Sequence, residues 1–190
     1  MRAQKSNAPY LEFPHRELEC YHCCSASIQI GGKILRSSVQ ELVLAGCEDG
    51  AGQNYQPAEI EALTQKVELA ARNREPVLFT AGDAILGAFD VLEITCRALG
   101  LPYLRYTKAC QGAWSEHVEF WKPDMHPMAA YKYACNGYGR PMLDYRQIRR
   151  LNEGAGLERE LQIMEHIHLF PYPLTIIEDG ETVTRSSPNL

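Results

Sequence analysis

Apolar residues recur along this chain with two different periods, and the changes of period mark out its elements. From Pro57, the positions Ile60, Leu63, Val67 and Ala70 fall on one helical stripe. A proline in the first turn with Glu59 and Glu61 nearby suits a helix N-terminus, so the spacing predicts a helix over 57–73. Pro76–Thr80 (PVLFT) is a compact apolar strand. A second helix is expected over 83–99, with Asp83 as its N-cap and Ile85, Phe89, Leu92, Cys96 and Leu99 as its buried face. Gly100 ends it, Pro102 bars its continuation, and 102–107 returns as a strand. This strand–helix–strand unit is the clearest pattern in the chain.

The flanking segments are shorter. Residues 18–24 read as a strand, Gly31 and Gly32 as a turn, and Val39, Leu42 and Val43 as a short helix ending near Gly46. Residues 48–56, rich in Gly, Asp and Asn, read as a loop. A strand is expected within 112–121, a long loop with a short helix over 123–139, and a helix over 144–152. Residues 157–170 alternate, with Leu161, Ile163, Ile167 and Leu169 on one face and Glu158, Glu160 and Gln162 on the other, which predicts a strand. Leu174–Ile177 is a last strand. The resulting organisation is an arm (1–17), a single α+β domain (18–177) and a tail (178–190).

Composition narrows the class. In 190 residues, 45% hydrophobic and 23% charged content are the proportions of a folded domain able to bury a core. No apolar run reaches the roughly 18–20 residues of a membrane span. The first fifteen residues lack the apolar stretch of a secretory signal, so a cytoplasmic location and no membrane partner are expected. Seven scattered cysteines, an odd number, fit reduced thiols better than a disulfide framework. The net charge of −5 does not draw polyanions to the protein as a whole, but Arg140, Arg146, Arg149 and Arg150 form a local basic group. That group reads either as a solvated helix face or as a phosphate-binding patch.

Two constellations could carry chemistry. Cys20, Cys23, Cys24 and His22 crowd into Glu-Cys-Tyr-His-Cys-Cys-Ser (19–25), yet a structural zinc site draws on two separated ligand pairs, and the second pair is missing. No metal is therefore expected. Glu158 and Glu160, two residues apart on the expected strand, would project to one side. Such paired carboxylates can stabilise a cationic sugar, or can be no more than a charged strand face.

Taken in order, these segments resemble ADP-ribosyltransferases of the diphtheria-toxin and poly(ADP-ribose)-polymerase type. Tyr21-His22-Cys23-Cys24-Ser25, followed by Gly31 and Gly32, is similar to the family's first strand with its Tyr-His-Gly-Ser or Tyr-His-Gly-Thr sequence. Phe79-Thr80 ahead of a helix is similar to its aromatic–hydroxyl strand end, and Glu158-Arg159-Glu160 to its late Glu-x-Glu. Cys23 stands where the family has glycine, and Tyr131 or Tyr133 could replace its middle tyrosine.

The resemblance implies split antiparallel sheets flanked by helices, clamping NAD as substrate. His22 would bind the adenosine-side ribose, Tyr21 or Phe79 would stack on nicotinamide, and Ser25 and Thr80 would line the cleft. Glu160 would stabilise the cationic sugar while Glu158 orients or deprotonates the acceptor, a protein or single-stranded nucleic acid. Small free-standing members of this kind are often toxins of toxin–antitoxin or phage-related systems, which implies a cognate inhibitor or antitoxin. Two rivals stand beside this reading. One is an α/β nucleoside-processing enzyme using Glu158 or Glu160 as nucleophile. The other is a non-enzymatic adaptor or inhibitor anchored by Trp114 and Trp121.

Overall fold

Ala26, Ile28 and Ile30 alternate along β1 (Cys23–Ile30) and are all buried, as expected of a strand in the middle of a sheet. The computed structural model describes residues 23–51, 56–85, 88–109, 115–124, 130–136, 140–154, 156–170 and 172–180. β1 pairs antiparallel on one side with β3 (Val77–Ile85) and on the other with β4 (Tyr103–Thr107). Antiparallel pairing then adds β5 (His117–Trp121), β6 (Tyr131–Cys135) and β7 (Pro141–Met142), giving a six-stranded sheet in the order β3-β1-β4-β5-β6-β7. A separate parallel pair joins β2 (Gly32–Leu35) to β8 (Leu174–Ile177). Among the described residues, five α-helices complete a mixed α+β arrangement: α1 (Val39–Ala51), α2 (Pro57–Asn73), α3 (Asp90–Leu99), α4 (Tyr145–Glu153) and α5 (Leu157–Leu169).

The register separates two cores. Ile30, Tyr103 and Trp121 lie side by side on one face, with Val77 and Phe79 beyond β1. This face packs against Leu42, Val43 and Ala45 of α1, Val67 and Ala70 of α2, and Leu92 and Cys96 of α3. Val118, Phe120, Tyr133 and Cys135 point to the opposite face, where Ile163 and Ile167 of α5 and Phe170 cover them. Each half of the sheet thus meets helices on a different side. Close approach of α1 depends on Gly46, where a Cβ would stand 2.4 Å from the Phe79 ring.

Local signals and structure agree best where the helix carries its own boundaries. α2 runs over the expected residues, with Pro57 in its first turn and a Gln56–Glu59 capping box. α4 begins after Asp144, which accepts from the Gln147 backbone N–H at 2.7 Å. Elsewhere the structure corrects the expectation. β3 continues to Ile85 and α3 starts only at Asp90, because its N-terminus is capped from outside: Asp49 of α1 accepts from the N–H groups of Val91 and Leu92 at 3.3 and 2.7 Å. The segment expected to be a loop over 123–139 contains β6. Residues 157–169 form a helix instead of a strand, since Ile163, Ile167 and Phe170 follow an i, i+4, i+7 stripe in a run of Leu, Glu, Gln and Met. The beginning of the expected tail is tied down, with Arg36 bonded to Glu178 and the Ser37 hydroxyl donating to Asp179 at 2.7 Å.

Candidate functional site

The sequence-derived NAD residues scatter. Tyr21 and His22 lie outside the described residues. Ser25 is exposed on β1, its carbonyl accepting from the Lys108 N–H at 3.0 Å. Phe79 is 4% exposed, walled in beneath Gly46 of α1, so its ring faces the core and not a cleft. Glu158 and Glu160 sit on a helix, where residues two apart diverge by about 200°. They therefore do not share a side: Glu158 is exposed, whereas Glu160 is half-buried and accepts from the Tyr133 hydroxyl at 2.7 Å. Burial, reinforced by that bond, pushes the Tyr133 phenol above its ordinary pKa.

Thr80 lies on the same face of the sheet as Tyr133, but at the other end of a row. Thr80 pairs with Ser27, Ser27 with Tyr106, Tyr106 with Val118, and Val118 with Tyr133. Four strand spacings separate the ends by about 19 Å. The structure thus joins Glu160 to Tyr133 and leaves Thr80 and Phe79 far from both.

On the face of the sheet that meets α3, a chain of charges that sequence patterns did not indicate runs across the strands. Glu93 of α3 is 6% exposed and Arg105 of β4 is 5% exposed, with Arg105 Nε 2.9 Å from Glu93 Oε1. Arg105 Nη2 reaches Glu119 Oε2 on β5 at 2.5 Å, and Lys132 of β6 lies 3.2 Å from Glu119 Oε1. The Tyr103 hydroxyl donates to Glu93 at 3.2 Å and Arg97 approaches it at 3.4 Å.

Environment splits the two carboxyls. Burial raises the Glu93 pKa despite Arg105. Burial would also raise Glu119, but Arg105 and Lys132 together outweigh it and hold that carboxyl below its usual range. Beside them, His117 Nδ1 donates to the Ser115 carbonyl at 3.0 Å, which leaves the lone pair on Nε2. That atom is buried without a hydrogen-bond partner among the described residues, and Glu119 Oε1 is 3.9 Å away. Burial lowers the His117 pKa, so the ring is uncharged at neutral pH. The chain ties α3 to β4 and, through Arg105, to β5 and β6, with the His117 ring beside it on β5. One signal was available: Glu93 interrupts the apolar stripe of Phe89, Leu92 and Cys96 on α3.

The arginine group noted in the sequence lies largely on α4, a helix none of whose residues is buried. Tyr145, Arg146, Arg149, Arg150 and Glu153 line a shallow open depression. At about 100° per residue they fill one arc of about 140°, while half-buried Gln147 and Leu151 face the opposite way. Arg149 is tied to Glu153 at 2.9 Å, and neither Arg146 nor Arg150 has an acidic partner among the described residues. Tyr145 is 77% exposed.

Among the described residues, no group of three or more His, Cys, Asp or Glu is placed to hold a metal ion, and no helix is long and apolar enough to cross a membrane. Cys47, Cys96 and Cys135 are free and buried. Comparison of the chain with protein-family models, with characterised proteins and with solved structures gives no match.

Proposed function

We propose that this chain binds nucleic acid through the outward arc of α4. The observation that carries this reading is a nine-residue helix with nothing buried, on which Arg146 and Arg150 have no acidic partner among the described residues and stand beside an exposed tyrosine. A short helix with no buried face contributes little to the core, so its side chains are free for contact with a partner. Guanidinium forks match phosphate oxygens in geometry and charge, and a local patch suffices even on a protein of net charge −5.

The test is fluorescence anisotropy with a labelled oligonucleotide over a series of salt concentrations. Two or three phosphate contacts give a log–log salt slope of about −1.4 to −2.7. The double variant Arg146→Glu/Arg150→Glu should abolish binding while leaving the circular dichroism spectrum unchanged. A double variant that binds like the parent moves the site elsewhere. Absence of any salt-dependent binding ends the reading.

The resemblance to ADP-ribosyltransferases supports a second reading, in which NAD is the substrate and Glu160 stabilises the cationic sugar. It is favoured by the contact between Glu160 and Tyr133, the latter one of the tyrosines that could fill the family's middle position. Phe79 and Thr80 lie outside such a centre, and Glu158 points away from it. Nicotinamide release from NAD by the protein, lost in Glu160→Gln, is the expected result. A full-length chain that releases none excludes it.

A further inference from the structure

We infer that the nucleic acid held by α4 is single-stranded, with one base stacked on Tyr145 while flanking phosphates meet Arg146 and Arg150. This inference rests on the α4 reading and adds to it which form of nucleic acid is taken. Two observations point the same way.

The first is the aromatic ring itself. Tyr145 is 77% exposed in the first position of α4, and Ile148, three residues on along the same helix, is 40% exposed. Among the described residues, no aromatic ring stacks on it. The free faces of unpaired bases supply a stacking partner, whereas in a duplex each base is already stacked on its neighbours.

The second is spacing. Arg146 and Arg150 are four residues apart, so they project about 6 Å from one another along the helix axis. They can follow one phosphate strand past the ring.

The experiment compares one oligonucleotide as a single strand, as a duplex and with an abasic position, against the parent, Tyr145→Ala and Tyr145→Phe. The exposed site makes both variants folding-neutral. The parent should prefer the single strand. Tyr145→Ala should weaken single-strand binding roughly fivefold to a hundredfold, the range carried by one base–aromatic stack, and Tyr145→Phe should restore it. A 2-aminopurine base in the strand should change its fluorescence on binding the parent and not on binding Tyr145→Ala. Equal affinity for duplex and single strand, with no effect of Tyr145→Ala, overturns the single-strand inference and leaves the α4 reading standing. Failure to bind any nucleic acid, with binding to an acidic polypeptide instead, overturns both.

Discussion

Replacing Arg105 with Met takes away the cation that sits between the buried carboxylate of Glu93 and the half-buried one of Glu119, and keeps the strand volume nearly constant. Glu93 would retain only the Tyr103 hydroxyl at 3.2 Å and the half-exposed Arg97 at 3.4 Å, and Glu119 would retain Lys132 at 3.2 Å. Removing one member of a buried ion pair costs about 3–5 kcal/mol, because the group left behind stays desolvated. The surviving partners place this case near 3 kcal/mol. For a chain of this size, each kcal/mol lowers the melting temperature by about 2–4 °C, so a drop of at least about 6 °C is expected. Thermal and urea denaturation at neutral pH measure it directly.

The pH dependence gives an independent check. Without Arg105, burial and the neighbouring Glu119 charge outweigh Tyr103 and Arg97 and lift the folded-state pKa of Glu93 further above the unfolded value of about 4.3. A group raised in this way is stabilising in its protonated form and loses that contribution as pH climbs through the folded pKa. The deficit of Arg105→Met relative to the parent should therefore shrink as pH is lowered from 7 toward about 4.3. The triple variant Glu93→Gln/Arg105→Met/Glu119→Gln, in which no charge is left unpaired, should recover most of the loss. A single variant that loses under about 1 kcal/mol, or a deficit that does not change with pH, would refute the account of this chain as a coupled buried network.

Other perturbations test separate parts of the fold. His117 has a folded pKa below its ordinary value of about 6.5, so the unfolded chain takes up the proton first. Stability attributable to it should fall as pH drops from about 6.5, by at most about 1.4 kcal/mol per pH unit, and His117→Gln should flatten that part of the curve. Gly46→Ala places a methyl against Phe79 at 2.4 Å and should cost about 1–3 kcal/mol in denaturant melts, with partial rescue by Phe79→Leu. Asp49→Ala removes the external cap of α3 and should cost about 1–2 kcal/mol, with Asp49→Asn costing less because one acceptor remains.

Several elements were legible in the chain because their determinants are local. Pro57 with the stripe Ile60–Leu63–Val67–Ala70 specified α2 from within, Asp144 with Gln147 marked the start of α4, and Gly100 followed by Pro102 separated α3 from β4. The arginine group on α4 was also visible, since charges three and four apart stay neighbours on any helix. The error at 157–169 has a physical origin too. Leu161 and Ile163 alternate, while Ile163 and Ile167 repeat at helical spacing, and only the covered face of the sheet decides which pattern is used.

What tertiary structure alone decided is the meeting of residues far apart in sequence. Glu93, Arg105, Glu119 and Lys132 belong to four different elements, and apart from Glu93, which breaks the apolar stripe of α3, each by itself reads as an ordinary charged position. Their contact exists because antiparallel register sets Arg105 opposite Glu119 and Glu119 opposite Lys132, and because α3 lies across that row. The cap on α3 likewise comes from Asp49, forty-two residues before Val91. Turns, stripes and caps within one segment are short-range properties that the order of residues determines directly. Register and packing depend on burying two apolar surfaces at once, so the partner of a buried charge is settled only when the sheet and its helices close together.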